Sequence, residues 1–400
     1  MKPDAAIEII QKLRDERYEA YLVGGCVRDM VMGLEPADYD IATSARPEEI
    51  MKLFPRTEAI GAQFGVVLVV HRGHPYEVAT FRSDDAYVDG RRPTGFVFTD
   101  ARTDVLRRDF TINGLLFDPI EKNMLDYVSG QADIEGKIVR AIGDPAKRFE
   151  EDKLRILRAI RFGARLGYTI EADTWKAVCA MSPKIHQVSI ERIREEVVRI
   201  VTEGQAREGL QMMHESGLLR EILPEVHWDG HMALCLGMLK RGTAGDFATA
   251  VLLHEVPVAA VEAIAERLKF SRAEIHHIIC LVERLPHFQT VRQMKMSELK
   301  KFFRLPRFED HLELTRICAS ASNHDLEDYN FALETFRGWT SQDIAPTPLV
   351  TGEDLIELGY TPGPLFKEIL SRIEDEQLEG RLRDKAQAVD FVMIKYRRKQ

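Results

Sequence analysis

The sequence predicts an α+β fold, with short strands gathered in the first third of the chain and helices filling the remainder. Two observations carry this. Short apolar runs bounded by Gly, Pro and Asp recur up to Tyr127, and past Ile190 apolar positions recur at helical spacing almost without a break. A chain of 400 residues has room for two to four domains.

Residues 1–20 read as an amphipathic helix carrying acidic residues, which is neither a secretory signal nor a transit peptide. The run YLVGGCVRDMVMGLEPADYDI, Tyr21 to Ile41, then packs three devices together. A short strand, Tyr21-Leu22-Val23, enters Gly24-Gly25. A helical turn from Val27 to Met32 stops at Gly33. Asp38 and Asp40 flank Tyr39 at the start of a second strand. Strand side chains alternate faces, so the two carboxylates point the same way. Side by side they repel unless a cation sits between them. Mg²⁺ suits such hard oxygen ligands, with phosphate oxygens completing its shell. The Gly-Gly turn lets backbone N–H groups approach an anion. An anion cradle beside a carboxylate pair points to metal-assisted phosphoryl or nucleotidyl transfer.

Ser44-Ala45-Arg46-Pro47 is expected to start a helix running from about Glu48 to Phe54. Gly65 opens VVLVV, a continuous apolar run expected to be a buried strand. Tyr76 to Phe81 is a third strand, on which Glu77 is a candidate third metal ligand. Arg82 to Asp100 is polar and irregular, a long loop of the kind that is often functional, and it contains Arg91 and Arg92. Arg107-Arg108-Asp109-Phe110-Thr111-Ile112-Asn113 combines phosphate-binding side chains with an apolar helix start. Phe117 to Tyr127 reads as strand–turn–strand.

Arg155, Arg158, Arg161 and Arg165 recur at three- and four-residue spacing and so share one side of a helix. Glu151-Asp152 are expected to open that helix, where its dipole favours anions. A basic stripe beside a nucleotidyl-transfer site suits triphosphate and RNA backbone. Net charge is −9, which taken alone counts against a nucleic-acid partner, but the average hides this stripe.

Further helices are expected near 206–222, 230–240, 246–268, 272–284, 297–303, 309–321, 326–337, 352–358, 364–374 and 382–397. His231, His254-Glu255, His276-His277 and His324-Asp325 are spaced somewhat like an HD-type phosphohydrolase. The central pair is His-Glu and the usual nearby lysine is missing, so a helical domain without its metal site is expected. The five cysteines are far apart, which argues against zinc or a disulfide framework and for a reducing cytoplasm. No apolar run approaches a membrane span, and no membrane partner is expected.

Together these motifs resemble a family: the class II tRNA nucleotidyltransferases, meaning bacterial-type CCA-adding enzymes and their poly(A) polymerase relatives, in the polymerase β superfamily. The matching residues are Gly24-Gly25-x-Val27-Arg28-Asp29, Asp38-x-Asp40, Arg107 to Asn113, and Glu151-Asp152-x-x-Arg155-x-x-Arg158-Ala159-x-Arg161-Phe162. They lie in the family's order across roughly residues 20–200. The resemblance implies a polymerase β-type head with a small mixed sheet (1–146), a helical neck for nucleotide selection and RNA binding (147–205), and a helical body and tail, degenerate HD-like, on tRNA (206–400). It implies that Asp38 and Asp40 bind Mg²⁺, and that Glu151, Asp152 and Arg155 select CTP or ATP by protein edges instead of a template. It places Gly24, Gly25, Arg28, Arg108, Asp109, Asn113, Arg158 and Arg161 around ribose and triphosphate, with Arg91, Arg92 and Arg165 on RNA. The partner is the tRNA acceptor end. The family's flexible loop corresponds to Arg82–Gly95, and its presence argues for addition of A. An A-adding enzyme or poly(A) polymerase is the close rival. A His-rich phosphodiesterase would need aspartate at position 255. An inactive binding protein is at odds with an intact Asp38 and Asp40.

Overall fold

The computed structural model of the chain describes residues 3–61, 65–84 and 96–396. These residues divide into two compact units. The first comprises residues 1–229, 239–248 and 263–271, and the second holds the rest. The expected boundary at 146/147 lies inside the first unit. It is crossed by a short parallel pair, Ile138–Val139 with Thr169–Ile170.

The first unit is built on a seven-stranded mixed sheet. Its strands are β1 (Ala20–Val23), β2 (Asp40–Thr43), β3 (Thr57–Gly61), β4 (Val66–His71), β5 (His74–Thr80), and, after the small β6–β7 hairpin (Arg82–Asp84, Phe96–Phe98), β8 (Leu115–Asp118) and β9 (Asn123–Asp126). The order is β3-β4-β5-β2-β1-β8-β9, with β2 and β5 parallel and every other pair antiparallel. The pairing Val23↔Asp40 sets the end of β1 beside the start of β2. The Gly24-Gly25 turn therefore emerges at the same edge as the two aspartates.

The helix α1 (Pro3–Asp15) buries Ala5, Ala6, Ile9, Ile10 and Leu13, the face set by its 3–4 spacing. The helix α2 (Gly25–Val31) ends before Gly33, whose φ of +71° makes glycine the natural stop. In α3 (Pro47–Leu53) proline occupies the first helical position, as expected. Ser44 does not cap it; its hydroxyl accepts the Glu19 N–H at 2.9 Å. The VVLVV strand is only half-buried: Val67 and Val69 face the core while Val66, Leu68 and Val70 are partly exposed.

After α4 (Ala101–Leu106), a 3₁₀ turn, Thr111–Asn113, leads into β8. This turn is braced by α5 (Gly130–Glu135), where Thr111 Oγ1 donates to Asp133 Oδ2 at 2.7 Å. A Cβ on Gly130 would lie 2.3 Å from the Thr111 carbonyl oxygen. Gly130→Ala is therefore expected to force the turn aside and to cost about 1–3 kcal/mol, the usual range for overpacking. A urea midpoint equal to that of the parent would show that the turn gives way freely.

The arginine stripe lies on α7 (Leu154–Leu166), but Glu151 and Asp152 do not open that helix. Glu151 is the last residue of α6 (Pro145–Glu151) and Asp152 its C-cap, so the expected dipole interaction at the helix start is replaced by a break. Asp152 Oδ1 accepts the Leu154 N–H at 3.1 Å, a local bond that competes with continuing the helix. Helices α8 (Ala172–Met181) and α9 (Ile190–Thr202) follow, α9 as expected.

Two expected helices are each broken in two. The 206–222 helix splits at Gly217 (φ +84°), and the 246–268 helix splits before Pro257 into Gly245–Leu253 and Val258–Arg267. In the second unit one core gathers Phe288, Phe302, Phe303 and Phe308, and another gathers Val350, Leu355, Ile369, Ile373 and Val392. Among the described residues no helix is long and apolar enough to cross a membrane.

Candidate active site

The register that brings Gly24 to Asp40 opens a cleft of about 730 Å³ in the first unit. It is lined by Gly24, Gly25, Arg28, Asp38, Asp40, Arg108, Asp109, Asn113, Asp152, Arg155, Arg158, Arg161 and Arg165. Residues separated by as many as 179 positions in the chain, Gly24 and Glu203, thus meet on one surface. Gly24 has φ +72°, and a Cβ there would sit 3.6 Å from Arg108 Nη1 and 3.8 Å from Asp40 Oδ2. The floor of the cleft is therefore backbone, approached closely by a cation and a carboxylate.

Asp38 is exposed just ahead of β2, Tyr39 turns into the core, and Asp40 is half-buried at the first position of the strand. Burial pushes the Asp40 carboxyl up to about 6, and the charges of Asp38 and Glu77 add to this while Arg108 opposes it. The donor set fits a hard divalent cation: Asp38 and Asp40 offer hard oxygen ligands, and at Asp40 the charges of two carboxylates stand against that of one arginine. Glu77 is exposed on β5 and does not line the cleft; its connection to the site is its charge on Asp40.

The opposite wall is a bonded frame. Arg28 Nη1 donates to Asn113 Oδ1 at 2.9 Å, and Asn113 Nδ2 donates to Asp109 Oδ1 at 3.2 Å. Asp109 Oδ2 accepts from Arg158 Nε and Nη2 at 2.9 and 2.6 Å. Burial alone would raise the Asp109 carboxyl, but Arg158, Asn113 and the Phe110 N–H outweigh it and hold it near 2. The buried Asp104 takes both Arg107 and Arg108, at 2.6 and 3.0 Å, and so aims the second of these at Gly24. The guanidinium groups of Arg28, Arg158 and Arg161 lie 5.5, 5.4 and 4.4 Å from the Phe162 ring, which gathers three cations at one aromatic.

Three expected site residues differ in kind from the stripe the sequence suggests. Arg155 is buried and donates to the carbonyls of Arg148 and Arg107 and to Glu151. Glu151 does not line the cleft; it braces Arg148 and Arg155. Arg161 is buried against Glu196, at 2.7 Å, and Glu203, at 3.2 Å. Arg165 keeps one edge on the cleft, 3.5 Å from Glu203. Arg91 and Arg92 lie outside the described residues, as do all of positions 85–95.

Sequence reasoning missed the contribution of α9. Arg199 and Glu203 line the cleft, and Arg192 donates to both oxygens of Asp152, at 3.3 and 2.9 Å. The available signal was the 3–4 spacing of Arg192, Glu196, Arg199 and Glu203, which marks one charged face of α9.

Paired carboxylates, a close backbone turn and an arginine-lined wall define a nucleotidyltransferase. The Poly A polymerase head domain family matches residues 20–140. The probable RNA- and SrmB-binding site of polymerase A matches 167–229, and tRNA nucleotidyltransferase domain 2 matches 247–392. A CCA-adding enzyme of Geobacillus sp. (strain WCH70) is 34% identical over 387 residues, 94% of this chain and 92% of its own. One from Geobacillus thermodenitrificans is 42% identical over 221 residues, 54% of each chain. The crystal structure of the Bacillus stearothermophilus CCA-adding enzyme in complex with CTP superposes with a TM-score of 0.85 at 28% identity, covering 99% of each chain. The chain belongs to the CCA-adding enzyme family, tRNA nucleotidyltransferases whose chemistry depends on a divalent metal.

Proposed function

We propose that the protein adds C and A nucleotides to the 3′ end of tRNA from CTP and ATP, without a nucleic-acid template, and releases pyrophosphate. The observation that carries this is the single cleft that joins the Asp38–Asp40 pair to the Asp152–Arg155 edge. Asp38 and Asp40 would hold Mg²⁺, and Glu77, outside the cleft, acts on them only through its charge. When bound, the metal lowers the pKa of the attacking 3′-hydroxyl and neutralises charge on the triphosphate. The backbone at Gly24-Gly25, with Arg28, Arg108, Asn113 and Arg158, binds ribose and phosphates. Asp109 positions Arg158, Arg161 adds its charge near the phosphates, and Arg165 extends the basic wall toward RNA. The cytoplasm is the compartment that suits five free cysteines. Purified protein would be incubated with tRNA transcripts lacking CCA, ending in CC, or bearing a mixed-sequence tail. With both nucleotides, CCA completion on the first is expected. Growth of A on the mixed tail would instead identify a poly(A) polymerase, and A addition confined to the CC end an A-adding enzyme.

Nucleotide choice falls to Asp152 and Arg155. Cytosine and adenine both carry an exocyclic amino group, which Asp152 can accept, while uracil and guanine present a carbonyl there. Arg192 holds the Asp152 carboxylate in place and leaves lone pairs for the base. Arg155 is fixed by backbone carbonyls, and Glu151 positions it. A buried carboxylate facing an acceptor costs about 1–3 kcal/mol or more, roughly tenfold to over a hundredfold in preference. Asp152→Ala is therefore expected to lower CTP and ATP use and to narrow the gap to UTP and GTP by about tenfold or more. Unchanged preference ratios among the four nucleotides would remove Asp152 from the selecting role.

A further inference from the structure

The helical unit holds a cluster that nucleotidyl transfer leaves unused. His231 and Cys235 lie four residues apart on the helix Gly230–Gly237 and so share a face. His254 approaches from the end of another helix, Gly245–Leu253. The Nε2 atoms of His231 and His254 are 2.9 Å apart, and Cys235 Sγ is 3.5 Å from His231 Nε2. Among the described residues this is the one group of three His, Cys, Asp or Glu side chains whose ligand atoms all lie within 4.8 Å of one another.

The surroundings aim the nitrogens inward. His254 Nδ1 lies 2.7 Å from the Val251 carbonyl oxygen. A carbonyl only accepts, so Nδ1 carries the proton and Nε2 presents its lone pair to the cluster, the arrangement typical of a metal-bound histidine. His231 Nδ1 is 3.2 Å from Ser322 Oγ, which fixes that ring in turn. Cys318, on the helix Phe308–Ala321, stands beside Cys235. Cys235 itself is buried, away from competing water.

We propose that His231, Cys235 and His254 ligate a Zn²⁺ ion, with Cys318 or water in the fourth position. In a tetrahedral zinc site, nitrogen ligands lie roughly 3.3 Å apart and nitrogen and sulfur roughly 3.6 Å apart, from metal–ligand lengths of about 2.0–2.1 and 2.3 Å. The cluster's 3.5 Å separation of sulfur and nitrogen is close to this, and the 2.9 Å separation of the nitrogens, a hydrogen-bond distance, has to open by about 0.4 Å for both to face one ion. Thiolate and imidazole ligands select zinc over the hard Mg²⁺ of the cleft. Binding releases the Cys235 thiol proton to solvent and ties together two segments of the second unit, and a third where Cys318 is the fourth ligand. The cysteines come from positions 83 residues apart, so no CxxC-like spacing marks the site in the sequence.

The test uses the full chain, purified without a histidine tag. One equivalent of zinc per chain is expected after dialysis. Co²⁺ in its place should give the visible bands of tetrahedral coordination and a thiolate charge-transfer band. Cys235→Ser and His254→Gln should each lose the metal and the bands, while Cys280→Ser keeps both. Chelation should lower Tm, with recovery on adding Zn²⁺ and none on adding Mg²⁺. A folded chain that takes up no stoichiometric zinc would overturn the proposal and leave a proton shared between two imidazoles as the explanation of their contact. Retention of the Co²⁺ bands in folded Cys235→Ser would also overturn it. Should a variant fail to fold, the Co²⁺ titration of the unmutated chain decides alone.

Discussion

Asp40→Asn is expected to lower nucleotide incorporation by about a thousandfold or more, because loss of one ligand from an activating cation removes several kcal/mol of transition-state stabilisation. The substitution keeps the shape of the side chain, so tRNA affinity, set mainly by arginines, should hold. Stability gives a second readout with the opposite sign. In metal-free protein the Asp40 carboxyl titrates near 6, above its ordinary value. A raised carboxyl pKa means the folded state holds its proton longer than the unfolded chain does. The Asp40 contribution to stability is therefore greatest below the unfolded pKa and declines as pH rises through about 4 to 6, by on the order of 3 kcal/mol. Asparagine removes the charge that burial, Asp38 and Glu77 disfavour. Metal-free Asp40→Asn should thus melt at or above the parent at pH 7, and Mg²⁺ should raise the Tm of the parent alone. Activity within tenfold of the parent, or tRNA binding lost in step with activity, would show that Asp40 is structural.

The features that the sequence revealed are those whose physics is local. The Gly24-Gly25 turn, the Gly33 stop and the three- and four-residue spacing of the α7 arginines depend on neighbours within a few residues and are found where expected, whereas β2 starts only at Asp40 and leaves Asp38 ahead of the strand. The failures have two sources. Some signals are local breaks inside a longer periodic pattern: Pro257 inside a helical pattern, and an Asp152 side chain able to cap the turn it sits in. Other features depend on partners far along the chain. A continuous VVLVV run suggests burial on both faces, yet only the Val67 and Val69 side is covered. An arginine at helical spacing reads alike whether it faces phosphate, as Arg158 can, or is sealed by a carboxylate 35 residues away, as Arg161 is. The active-site motifs could be placed because they are contiguous, whereas the α9 side of the cleft could not.

The Arg161–Glu196 pair is where this distinction can be measured. Their side chains are 4% and 5% exposed and 2.7 Å apart, so the pair is desolvated on both sides. Removing one partner strands a charge: Glu196→Ala is expected to cost about 3–5 kcal/mol of stability. Glu203, at 24% exposure, and the Phe162 ring soften the loss without replacing the partner. Replacing both charges by apolar groups of similar volume removes the stranded charge, so Arg161→Met with Glu196→Leu should recover most of the stability. Activity separates the two roles open to Arg161. If the guanidinium meets phosphate in the cleft that it lines, the double variant regains its urea midpoint while kcat/KM for CTP stays low. If Arg161 is only a strut between α7 and α9, activity returns together with stability. A Glu196→Ala chain as stable as the parent would mean that water or Glu203 already satisfies Arg161, and the pair would then not be the lock that holds the arginine wall in place.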